Sequence, residues 1–216
     1  MTVRLLFFRP GQLALDYFEG RRDRHVRPLR LFLFLSAPVF MLLFRSTLSL
    51  QFVASHDRAG LLERWIARGA QLRNIAPALY LAERNAFFQL LVKLGMVTVG
   101  LLAGALVCYA LFKKSQPLIG AHAVFILLNE SAILFVGSFL AWIGTTTGVL
   151  GVFAIVSQAF ALVFTYWAAR RAYGGTAGWT ALRVIVLRIA DLAVRAVITG
   201  AALFLTLTWG VSGQAH

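Results

Sequence analysis

Apolar positions in this chain come in long unbroken runs, without the strict alternation of half-buried strands. Five runs approach or exceed bilayer length: about Leu29–Leu50, Phe88–Phe112, Ile119–Ile143, Val149–Ala169 and Val184–Trp209. Roughly 20 apolar residues suffice for a helix to cross a membrane. The pattern predicts an all-α polytopic membrane bundle of five transmembrane helices plus short interfacial helices. Residues 1–30 read as a cytoplasmic interfacial helix and basic segment, and 31–216 as the five-helix domain, with an outer loop at about 51–86.

Shorter patterns fill the gaps. A helix from Pro10 to Glu19 groups Leu13, Ala14, Tyr17 and Phe18 on one side, with Asp16 and Glu19 elsewhere on the wheel. Pro suits its first turn, Gly20 ends it, and its amphipathic character predicts that it lies on the membrane surface. In the outer loop, Leu61, Leu62, Trp65 and Ile66 share a face, which predicts an amphipathic helix over about Arg58–Arg68. Pro77 is expected to break the helical pattern beyond it. Pro38 is expected to kink the first span by removing one internal hydrogen bond, and Arg45 to snorkel outward from it. Gly100 and Gly104 form a GxxxG pair in the second span, suited to close helix packing. No internal repeat is evident, which counts against an inverted-repeat transporter.

Composition agrees with the membrane class. The chain is 60% hydrophobic and 13% charged, where a soluble domain carries about 25% charged residues. Net charge is +13. In a soluble protein that would suggest nucleic acid, but no zinc-finger, RNP-like or basic-zipper pattern accompanies it, so no nucleic-acid partner is expected. The cations instead fit the positive-inside rule. Arg21, Arg22, Arg24, Arg27 and Arg30, then Lys113 and Lys114, then Arg170 and Arg171 mark the cytoplasmic side. The N-terminus is then cytoplasmic and the C-terminus periplasmic, in a bacterial inner membrane. Arg21, Arg22, Arg24, Arg27 and Arg30 are also candidate contacts for anionic lipid headgroups, at about 1 kcal/mol per basic residue near the surface. The single Cys108 excludes an internal disulfide. No cleavable signal peptide is expected, because the run Leu5–Phe8 is too short.

The candidate chemistry lies inside the spans. Arg188, Asp191 and Arg195, spaced by three and four, share one face of the fifth. The third carries His122, Asn129 and Glu130, and the fourth Gln158. Charges in hydrocarbon need partners or water. Glu130 is eleven residues past Ile119 and Arg195 eleven past Val184, so both fall about 16 Å up their helices. Gln158 is about halfway along the fourth span. The expectation is one polar layer of Asn129, Glu130, Gln158 and Arg195, with Asp191 as a second partner of Arg195. His122 and Arg188 share a depth nearer the cytoplasm. Two readings stay open: these groups neutralise one another and lock the bundle, or they line a cavity for a proton, an ion or a lipid headgroup.

No HExxH, GxSxG or phosphate-cradling glycine loop is present, so no catalytic residue, cofactor or metal ligand is assigned. The expected function is a non-enzymatic envelope accessory or interaction protein that engages anionic lipid, a membrane partner or a second copy of itself. The alternative is a small transporter or lipid-handling protein that uses the layer of Glu130, Arg195 and Asp191.

The stretch Arg9-Pro10-Gly11, then Tyr17-x-x-Gly20-Arg21-Arg22, then Pro28-Leu29-Arg30-Leu31 resembles a bacterial membrane family of unknown function. That family shows R-P-G, Y-x-x-G-[KR]-R and P-L-R-L before its first span. Its third span tends to carry an acid–His pair and an aliphatic–Phe segment, matched here by Ala121-His122-Ala123-Val124-Phe125. Ala169-Arg170-Arg171-Ala172-Tyr173-Gly174 is similar to its R-R-V-Y-G. The resemblance implies a membrane-embedded helical fold and no particular activity. This chain departs from the family at Ala121, where an acid is expected, and it lacks the Cys-rich zinc ribbon that many members carry.

Overall fold

The computed structural model describes residues 2–21, 25–46, 50, 57 and 60–212. Arg22, Arg24, Arg58, the stretch 51–56 and the tail from 213 lie outside them. The described residues form helices and no strand. These are α1 (Thr2–Phe8), α2 (Gln12–Phe18), α3 (Pro28–Ser46), α4 (Leu61–Arg73), α5 (Pro77–Phe112), α6 (Ile119–Thr147), α7 (Leu150–Tyr173) and α8 (Ala177–Ser212). By length and composition α5, α6 and α7 could each cross a membrane, and Pro28–Ala37 is a shorter apolar helical stretch.

Several helices outrun the apolar runs that predict them. α5 begins at Pro77, which opens the helix where a break was expected. A proline in the first turn forfeits no intrahelical hydrogen bond, because that N–H has no partner there anyway. α5 turns π-helical over Met96–Gly100 before resuming the α form. α8 begins at Ala177, seven residues ahead of its apolar core. α3 stays helical through Pro38.

Two compact units divide the chain. The first comprises Met1–Leu43 and Gly100–Val194, the second Phe44–Val99 and Arg195–His216.

In the first unit, α6 packs against α7 and against the second half of α5. A Cβ on Gly104 would sit 3.3 Å from Ile126 of α6, so this half of the GxxxG pair serves packing within the chain. The N-terminal helices are built into the same core. α2 lies on α6 and α7, and Leu6, Leu13, Ala14 and Tyr17 are buried with Phe125, Leu128, Phe164 and Ala168. The apolar side of α2 is therefore covered by protein, where a membrane surface was expected. Fully burying one leucine is worth about 1.5–3 kcal/mol, so Leu6 and Leu13 alone give this docking several kcal/mol. Gly11 makes it possible. Its φ is +81°, and a Cβ there would lie 2.2 Å from the carbonyl oxygen of Ala168. Only glycine combines that backbone with so close an approach.

In the second unit, α4 packs on the first half of α5. Leu62, Ile66 and Ala70 repeat every fourth residue and bury against Tyr80. Leu61, expected on that face, is exposed. Gly69 leaves room for the Tyr80 ring, which a Cβ would meet at 2.4 Å. The Asp57 carboxylate accepts the Leu62 N–H at 2.7 Å and so caps α4. Phe88, Val92, Leu50 and Ala202 form a separate apolar cluster.

Candidate functional site

The deepest charges of the first unit are paired. Arg188 donates to Glu130 at 3.0 Å and lies 3.4 Å from Asp191. The Arg188 and Glu130 side chains are only 10% and 9% exposed. Depth in the sequence pairs Glu130 with Arg195; Arg188 is a cation at hydrogen-bond distance from Glu130. Asp191 likewise lies against Arg188, three residues earlier on its own helix. Asn129 donates to Thr165 of α7 at 3.1 Å. Its Oδ1 has no partner among the described residues, and Asn129 is one of the residues lining a cavity of about 10 Å³, room for about one water. Gln158 is exposed and so does not join this buried layer.

His122 lies in the first turn of α6. It is fully buried, and its two nitrogens lie 2.9 Å from the Gln116 carbonyl and 3.0 Å from the Tyr173 hydroxyl. A carbonyl only accepts, so Nε2 carries the proton and Nδ1 accepts from Tyr173. The Tyr173 oxygen then accepts from the Cys108 thiol at 3.5 Å. Phe112 stacks on the Tyr173 ring at 4.4 Å, and Phe18 and Phe125 lie within 5.6 Å of it. This network joins Tyr173 of the R-R-x-Y-G segment to His122 of α6. It also brings the ends of α2, α5 and α7 to the start of α6. The basic stretches flanking those ends therefore gather at one end of the unit: Arg21, Lys113 and Lys114, Arg170 and Arg171. All five cations are exposed.

A third cluster lies between the N-terminal helices. Asp16 accepts from Gln12 and Arg21 at 3.0 Å and faces His25 Nε2 at 3.1 Å. Glu19 also pairs with Arg21. Partial burial raises the Asp16 pKa, but the hydrogen bonds from Gln12, His25 and Arg21, with the Arg21 charge, outweigh it and hold the carboxyl below its ordinary value. Tyr17 donates to the Val26 carbonyl at 2.6 Å, which ties the chain beyond α2 back onto that helix. His25 is thereby fixed with its side chain 6% exposed. Its Nδ1 has no partner among the described residues.

His25 also forms part of the wall of a cavity of about 890 Å³, together with Tyr17, Arg27, Gln116, Gly120 and Ala121. Of the expected headgroup contacts, Arg27 lines this cavity, while Arg21 and Arg30 are exposed on the same segment. In the sequence, His25 stands out only as part of a basic run. The signal available there was an acid and a histidine, nine residues apart, on either side of a Gly20 turn.

In the second unit, Arg84 is 7% exposed and lies over the Tyr80 ring at 5.1 Å. Its Nε and Nη2 have no partner among the described residues.

The model of a family described as "Protein of unknown function (DUF3667)" matches residues 1–40. The matched stretch holds α1, the Gly11 contact, α2 and the cavity-lining residues His25 and Arg27. No curated protein and no solved structure matches the chain.

Proposed function

We propose that the chain is a non-enzymatic, five-span protein of a bacterial inner membrane that engages anionic lipid through its cytoplasmic face. α3 and α8 supply the first and fifth spans, α5, α6 and α7 the others. The N-terminus is cytoplasmic and the C-terminus periplasmic. The observation that supports this reading is the convergence of three basic segments on one end of the first unit, around Tyr173 and His122. Positively charged loops favour the cytoplasmic side, and clustered cations there attract anionic lipid. The pairing of Glu130 with Arg188 supports a locking role for the buried charges over a transport path.

The test uses the full chain reconstituted in mixed bilayers with spin-labelled lipids. Phosphatidylglycerol should be immobilised at the protein surface in preference to phosphatidylcholine, and the preference should shrink in high salt. Equal immobilisation of the two lipids would refute the reading.

A further inference from the structure

We propose that the cavity between the His25–Leu29 segment and the start of α6 is a specific site for the phosphate headgroup of one anionic phospholipid. This rests on the anionic-lipid reading above and adds to it a single binding site.

The argument begins with His25. Its ring is more than nine-tenths buried, its Nε2 is engaged by Asp16, and its Nδ1 is unpaired among the described residues. A buried polar nitrogen without a partner is costly, and this residue stands in the wall of a large cavity. Nε2 donates to the Asp16 carboxylate, and the residue forms part of the cavity wall. A ligand seated in the cavity meets a polar ring at this point of the wall.

Three further features of the same wall favour negative charge. Arg27 supplies a guanidinium, suited to phosphate. α6, 29 residues long, opens at Ile119 with no side chain capping its first turn. α3, 19 residues long, opens at Pro28. Both helix starts line the cavity, and helix N-termini attract anions. Asp16 is not among the residues that line the cavity and is bonded to Arg21, Gln12 and His25.

The rest of the lining chooses a lipid over a free phosphate. Leu29, Leu118 and Ile119 border the cavity and are each more than half exposed. They offer apolar surface to the first carbons of acyl chains beside a polar pocket for the head. The volume falls within the ~300–1,000 Å³ of small-molecule sites.

Gly120 allows a clean test. A Cβ there would meet nothing within 4 Å, so Gly120→Asp places a carboxylate at the cavity wall with no clash at its first carbon. An acid in the first turn of α6 also suits that helix, so folding is preserved. The full chain in mild detergent is offered equal amounts of dioleoylphosphatidylglycerol and dioleoylphosphatidylcholine, and bound lipid is counted by native mass spectrometry. Wild type should retain one phosphatidylglycerol. Gly120→Asp, Arg27→Gln and His25→Leu should each lower its occupancy about tenfold, the effect of one lost charge-assisted contact. Gly120→Ala and Arg30→Gln should stay near wild type. Wild-type occupancy in both Gly120→Asp and Arg27→Gln would overturn the site while leaving the wider anionic preference in place. Equal retention of the two lipids by wild type would overturn both. Displacement of the bound lipid by an equal concentration of inorganic phosphate would assign the cavity to a soluble anion and overturn the lipid occupant.

Discussion

Arg188 sits between two carboxylates, and this sets an order of severity for its removal and that of its partner. At 3.0 Å and an effective dielectric of about 20, its attraction to Glu130 is about 5–6 kcal/mol before desolvation is counted. Asp191, at 3.4 Å, adds an attraction of about 5 kcal/mol on the same basis. Desolvation offsets much of each, so intact buried pairs add little net stability, but breaking one costs about 3–5 kcal/mol. Arg188→Gln removes the cation that both carboxylates share and should lose about that much. Glu130→Gln leaves Arg188 with Asp191 and should lose less, about 1–3 kcal/mol. The double variant should recover part of the sum, giving a coupling of about 1–3 kcal/mol. Unfolding of the full chain in mixed micelles, followed by tryptophan fluorescence, measures all four corners of the cycle. A coupling below about 0.5 kcal/mol, or a Glu130→Gln loss equal to that of Arg188→Gln, would refute the reasoning. A parallel cycle of Glu130→Gln with Arg195→Gln tests the pairing expected from sequence depth alone.

Gly11→Ala should destabilise the chain by well over 1 kcal/mol, because φ is +81° and the added carbon would strike the Ala168 carbonyl; a melting curve as firm as that of wild type would contradict the close approach. Asp16 has a lowered pKa, so its stabilisation is fully present above its ordinary value of 3.8 and is lost as pH falls through the lower, folded value. Melting temperatures of wild type should therefore drop more steeply below about pH 4 than those of Asp16→Asn; parallel slopes would remove that carboxylate from the acid response. Reporter fusions after Lys114 and Arg171 should read as cytoplasmic, and fusions after Thr146 and His216 as periplasmic. A cytoplasmic C-terminus would mean an even number of spans.

The apolar runs that mark α5, α6 and α7 are plain in the sequence, because each is long and apolar enough to cross a membrane. Helix starts are not, because a helix continues past its apolar core wherever capping and packing allow. That one limit explains why Arg188 was left out of the layer expected around Glu130. Eleven residues past the observed start of α8, Ala177, is Arg188, as Glu130 is eleven residues past Ile119. Depth was a sound measure taken from an origin seven residues late. The face gave no correction, since Arg188 and Arg195 are two turns apart on the same stripe. Gln158 failed for the complementary reason: depth says nothing about which way a side chain turns around its helix. The meetings of Asp16 with His25, and of His122 with Tyr173, arise only when separate segments are folded together. The motif residues Gly11, His122 and Tyr173 could be quoted from the sequence, but the contact of Gly11 with Ala168 and that of His122 with Tyr173 could not.

The docking of α2 on α7 has a consequence for how the chain is made. Leu13 leaves the ribosome about 155 residues before Ala168, an interval of roughly ten to thirty seconds at ~5–20 residues per second. Throughout that interval the surface that covers Leu13, Ala14 and Tyr17 does not yet exist. The nascent segment carries an apolar side and a run of arginines, and in the membrane protein proposed above the inner leaflet would satisfy both. On that proposal, the membrane-surface helix expected from the sequence would describe a waiting position during synthesis, relinquished when the hairpin of α6 and α7 is complete. The first helices translated are then among the last to reach their final place.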